Sequence, residues 1–103
     1  MFAVIYNFQV RQGQEEQFEA AWCKRTEEIK NTHGGLGSRL HRALDGRWIA
    51  YAQWPSREAW ELASKGTGES TEAQLALRAA CESVETLFEL DVRKDLLVKE
   101  VSE

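Results

Sequence analysis

The first ten residues alternate. Phe2, Val4, Tyr6, Phe8 and Val10 fall on one side of an extended chain, and Ala3, Ile5, Asn7 and Gln9 on the other. That period of two predicts a β-strand over Phe2–Val10, with one face strongly apolar and the other half-polar. After Gly13 the period changes. Phe18, Ala21, Trp22, Arg25 and Ile29 recur at steps of three and four, so Gln14 to about Asn31 reads as an amphipathic helix. Glu15 and Glu16 suit the positive end of its dipole, and Asn31 with His33-Gly34-Gly35 ends it.

The same reading continues along the chain. Leu36 to Ala43 predicts a second strand, Asp45-Gly46 a tight turn, and Trp48 to Trp54 a third strand that Pro55 terminates. Ser56 is a natural N-cap for a short helix through about Ser64. Lys65-Gly66-Thr67-Gly68-Glu69 is a flexible break, with Gly66-Thr67-Gly68 a candidate lid. Thr71 and Gln74 match a capping box ahead of a helix carrying Ala73, Leu77, Ala80, Cys81 and Val84 on one stripe. Phe88, Leu90 and Val92 alternate as a fourth strand, and Leu96-Leu97-Val98 is a candidate extension.

Strand, helix, hairpin, helices, strand is the split β-α-β order. It predicts an α+β, ferredoxin-like β-α-β-β-α-β fold with a four-stranded antiparallel sheet and helices on one face. At 103 residues there is room for one domain, 1–103, and a domain this small buries only about two-thirds of its unfolded surface. A two-residue turn at Asp45-Gly46 sets Arg39, His41 and Ala43 on one face with Ala52, Ala50 and Trp48. Leu40 then shares the other face with Tyr51, while Arg42 faces Ile49. Both faces carry large apolar side chains, so the face without helices is expected to pack on a second copy, giving a homodimer. A loop one residue longer would exchange the two faces.

Charge and motif exclude several functions. The net charge is -4 and no Lys/Arg run exceeds two residues, so nucleic acid is not an expected partner. Phe2–Tyr6 is too short for a signal peptide or a membrane span, so no membrane association is expected and the chain reads as cytoplasmic. Cys23 and Cys81 sit in helix-like contexts without CxxC or zinc spacing and read as buried small hydrophobes. No cofactor or metal ion is expected.

Leu36-Gly37-Ser38-Arg39-Leu40-His41-Arg42, the turn Asp45-Gly46, and Trp48 through Trp60 resemble the antibiotic biosynthesis monooxygenase domain family. So do the opening strand, Gly13 and the acidic amphipathic helix. The resemblance implies a dimeric ferredoxin-like α+β barrel. It also implies relatives that include cofactor-free oxygenases of quinols and aromatic polyketides, and haem-degrading enzymes. The haem-degrading branch uses an Asn on the first strand, a Trp on the short helix and a His on the next. Aligned on Gly13, the Asn position falls on Tyr6, and Asn7 points the other way. The Trp position falls near Ala63, one turn from Trp60, and the helix from Thr71 to Val84 carries no His, so a haem iron would lack its axial ligand.

The expected function is therefore a cofactor-independent monooxygenase of a small aromatic or quinol-type substrate. The alternative is a non-catalytic dimeric ligand-binding or accessory protein of the same fold. Such an oxygenase needs a dry pocket and groups that deprotonate a phenol or stabilise its anion. His41 and Arg39 stand two apart on one strand and are the candidate catalytic pair, with Arg39 otherwise paired to an acid on the last strand. Tyr6, Trp54 and Trp60 are the candidate pocket residues, and Ala50 and Ala52 leave space between the indoles.

Overall fold

The computed structural model describes residues 1–66 and 70–98. The elements follow in the order β1 (Phe2–Val10), α1 (Glu15–Thr32), β2 (Ser38–Arg42), β3 (Trp48–Trp54), α2 (Arg57–Lys65), α3 (Glu72–Ala80) and β4 (Cys81–Asp91). The strands form one antiparallel sheet in the order β2-β3-β1-β4, the ferredoxin-like arrangement expected. β1 is central because both its edges are paired, from Phe2↔Trp54 to Phe8↔Trp48 on one side and from Phe2↔Asp91 to Val10↔Cys81 on the other.

The apolar face of β1 makes the core. Phe8, Phe18, Trp48, Ala50, Ala80 and Cys81 form one buried cluster, and Phe2, Val4, Ala52 and Trp54 a second. Phe18, fully buried, joins α1 to the sheet. Its ring lies 5.2 Å from that of Phe8 and meets Trp48 edge-on at 5.3 Å, an arrangement that aligns ring edge with ring face. The helix starts are fixed by side chains. Ser56 Oγ accepts from the Ala59 N–H at 3.1 Å. Thr71 and Gln74 close a capping box, with Gln74 N–H donating to Thr71 Oγ1 at 3.1 Å and Thr71 N–H to Gln74 Oε1 at 3.0 Å.

Three expectations are corrected. The hairpin between β2 and β3 has one more residue in its loop than a two-residue turn. Ala43 N–H donates to Arg47 O at 2.8 Å and Gly46 N–H to Ala43 O at 2.9 Å, so Leu44, Asp45 and Gly46 form the loop. Gly46, at φ +92°, takes the left-handed position that this three-residue hairpin requires. Asp45 holds the bend through Arg47, accepting its N–H at 3.1 Å and its Nε–H at 2.9 Å. The Arg47 backbone N–H is the largest cause that draws the exposed Asp45 carboxyl below its ordinary pKa.

The extra residue changes the register to Arg39↔Tyr51, Leu40↔Ala50 and His41↔Ile49. Arg39 and His41 therefore lie on the face away from the helices, and Leu40 packs on the core cluster of Ala50. Second, the last helix ends at Ala80 rather than Val84. Residues Cys81 to Thr86 instead join the β1 ladder, and register shifts within it obscure their alternation. Third, Cys23 is exposed. Cys81 is buried as expected, and burial raises its thiol pKa against the opposing effect of Arg11.

Candidate active site

Each face of the sheet carries a concavity. On the helix side a cavity of about 190 Å³ lies between α1 and the strands. Its walls include Tyr6 and Phe8 of β1, Trp22, Arg25 and Ile29 of α1, Ala50, Ala52 and Trp54 of β3, and Leu77 of α3. The small side chains of Ala50 and Ala52 are what leave the space. Gly35 brings the chain close behind Ile29, where a Cβ would stand 2.6 Å from Ile29 Cγ2.

Tyr6 is the polar group that the strand aims into this face. Its hydroxyl accepts the indole N–H of Trp60 at 2.7 Å, which leaves its own proton free to be donated. Burial is the main cause that raises the Tyr6 pKa above the ordinary tyrosine value; the Trp60 hydrogen bond opposes this and Glu89 adds to it. Tyr6 is thus a neutral donor near pH 7. Trp54 is buried, and its indole N–H has no partner among the described residues. A buried donor left unpaired is costly; this N–H is covered by the surrounding packing, so Trp54 offers the cavity its ring rather than a donor. Trp60 stands behind Tyr6 rather than in the wall, its ring 5.7 Å from that of Phe2.

On the other side of the sheet a wider groove of about 520 Å³ is lined by Ile5, Arg39, His41, Ile49 and Tyr51, with Leu97 reaching it from the C-terminal segment. The structure therefore brings Tyr6 and Trp54 together, keeps Trp60 in contact with Tyr6, and separates His41 and Arg39 from all three. His41 Nδ1 is 3.1 Å from the Ile49 carbonyl oxygen. Because a carbonyl only accepts, this contact places a proton on Nδ1. Arg39 has no ion pair among the described residues; Arg57 makes the contact to the last strand, with Nη2 3.3 Å from Glu89. Asn7, opposite in direction to Tyr6, pairs across the sheet with Ile49 and Glu85. Thr67 and Gly68 of the candidate lid, and Glu69 of the same break, lie outside the described residues.

Among the described residues no group of three or more His, Cys, Asp and Glu side chains could hold a metal ion. No described helix is long and apolar enough to cross a membrane. α3 carries no His.

A ferredoxin-like sheet with an apolar cavity under its helices defines the class of small α+β fold to which the chain belongs. More particularly, residues 1–85 match the family model described as antibiotic biosynthesis monooxygenase, and the chain belongs to that family. Among solved structures it is similar to SnoaB, a cofactor-independent oxygenase from Streptomyces nogalater, at TM-score 0.74 and 22% identity over 92% of this chain and 95% of that one. It is also similar to MhuD, a heme-degrader from Mycobacterium tuberculosis, at TM-score 0.70 and 22% identity over 93% of this chain and 99% of that one. At these identities the likeness is one of fold. No curated protein matches the sequence.

Proposed function

We propose that this protein is a cofactor-independent monooxygenase of a one-ring phenol or quinol, with the helix-side cavity as its site. The observation that carries this reading is the pairing of a neutral, protonated Tyr6 hydroxyl with a mainly apolar cavity under the helices. An apolar cavity of roughly 150 Å³ takes up benzene, whereas drug-sized ligands fill about 300–1,000 Å³. A volume near 190 Å³ suits one aromatic ring and is too small for a macrocycle.

The chemistry needs no external reductant. A phenol or quinol loses its hydroxyl proton to solvent, and an electron-rich ring carbon that carries hydrogen, ortho or para to the oxygen, combines with dioxygen. One oxygen atom becomes the new carbonyl and the other leaves as water, so phenol and dioxygen give quinone and water with all four electrons drawn from the substrate. Tyr6 donates its hydrogen bond to the phenolate oxygen, and Trp60 fixes the direction of that donation. Such a donor acts most strongly where water is excluded.

The open sheet face receives a second copy of the chain in this proposal. Phe88 is 60% exposed and Leu90 40% exposed there, beside the groove of Ile5, Ile49 and Tyr51. Arg39 and His41 then belong to the dimer surface. The protein is a single domain acting in the cytosol.

An oxygen electrode run with one-ring phenols and quinols, paired with tryptophan fluorescence, tests the reading. Trp22 and Trp54 line the cavity and report its occupancy. Quenching with dioxygen uptake and quinone formation is expected. Saturable quenching with no uptake across the panel would refute the oxygenase and leave a ligand-binding module.

A further inference from the structure

The apolar stripe of α1 contains one charged residue. Arg25 lies between Trp22 and Ile29 in the helical sequence, and all three line the helix-side cavity. Its side chain is only 16% exposed. Lys30, at the end of the same wall, is the second cation, and among the described residues no carboxylate lines the cavity. In a chain of net charge -4 this is a local reversal of sign.

The hydrogen bonding of Arg25 is incomplete. Nη1 donates to Glu28 Oε1 at 3.2 Å. The same oxygen accepts Thr71 Oγ1–H at 2.9 Å, so Glu28 is held towards the start of α3. Lys30 Nζ is engaged by Glu27 at 3.2 Å and is more exposed. The Nε and Nη2 of Arg25 have no partner among the described residues. Those two N–H groups point to the same side of a guanidinium and form the fork that grips a carboxylate through both oxygens. A long cation placed on an apolar stripe ordinarily extends to water; this one is kept largely covered beside an apolar cavity.

We infer that the ligand of this cavity is a small aromatic carboxylate, its ring against Trp22 and Trp54 and its carboxylate on the Nε–Nη2 edge of Arg25. The inference rests on the helix-side cavity being the substrate site and adds the charge of the substrate. A carboxylate held there also supplies orientation, which an otherwise apolar pocket provides only through shape.

The test is a fluorescence titration, without turnover, of 4-hydroxybenzoate against 4-hydroxybenzamide, two probes of nearly the same shape that differ in charge. The wild-type protein is expected to bind the acid on the order of tenfold more tightly, the scale of one charge-assisted contact. Arg25→Gln is expected to abolish that preference, weakening the acid far more than the amide. Arg25→Lys keeps the charge and the partner of Glu28 and is expected to retain part of it. Thermal unfolding of each variant checks that the fold persists. Equal binding of acid and amide by the wild type overturns the inference and leaves the oxygenase reading standing. Loss of amide binding in both variants also overturns it, since Arg25 would then be shaping the cavity. Failure to bind either probe and every one-ring phenol would remove the cavity as a site and both readings with it.

Discussion

The Trp60–Tyr6 hydrogen bond is the most specific polar contact of the proposed site, and its energetics are open to a double-mutant cycle. At 2.7 Å it is short for an N–H···O bond. Tyr6→Phe removes the acceptor and leaves the half-buried Trp60 N–H unpaired. An unsatisfied buried donor costs about 1–3 kcal/mol, and partial access to water puts this site near the low end, ~1–1.5 kcal/mol. Trp60→Phe removes the donor and also part of a ring packed near Phe2, so its cost is larger, ~2–3 kcal/mol. With both changes no donor is orphaned. The double variant should therefore lose less than the sum of the singles, by about 1 kcal/mol. Urea unfolding at fixed protein concentration measures all four corners, and in a domain of this size 1 kcal/mol corresponds to roughly 4–8 °C in Tm. Strict additivity of the two changes would refute the contact as an energetic unit, and with it the claim that Trp60 positions Tyr6.

Phe18→Ala empties the fully buried position between Phe8 and Trp48 and should cost ~3–5 kcal/mol in denaturant unfolding. Gly35→Ala drives a Cβ to 2.6 Å from Ile29 Cγ2 and should cost ~1–3 kcal/mol in the same assay while narrowing the cavity. The raised pKa of Tyr6 carries a pH signature: its contribution to stability is complete below the unfolded value of about 10 and is lost as pH rises through the folded value. Unfolding free energy should therefore fall more steeply between those two values in the wild type than in Tyr6→Phe. Light scattering at micromolar concentration should give a dimer mass for the wild type and a monomer mass for Phe88→Lys; a wild-type monomer would sink the proposed interface.

The order of elements was legible because period-two and period-3.6 patterns change at Gly13, Pro55 and Thr71, where turn or capping chemistry agrees with the pattern. Two boundaries were not. A loop of two or three residues at Asp45-Gly46 uses the same residue types, yet the choice moves every β2 side chain to the opposite face. That single residue separates His41 and Arg39 from the indoles they were expected to join. The start of β4 was hidden because register shifts spoil its alternation and Cys81 and Val84 happen to continue a helical stripe. Tyr6 could be placed on the helix-facing side because β1 alternates cleanly, whereas the alternation of β3 groups Trp54 with Trp48, Ala50 and Ala52 without saying which face of the sheet they occupy. Arg25 was visible as a charge on an apolar stripe, but only the cavity beside it gives that anomaly a meaning.

The central claim is that oxygenation belongs to the helix-side cavity and not to the groove of the open sheet face. Dioxygen uptake with the best one-ring substrate, measured side by side in Tyr6→Phe and His41→Gln, tests it directly. The account predicts a loss on the order of a hundredfold in Tyr6→Phe, the scale of one missing donor to a developing oxyanion, and near wild-type uptake in His41→Gln. Full uptake in Tyr6→Phe with loss in His41→Gln would contradict it.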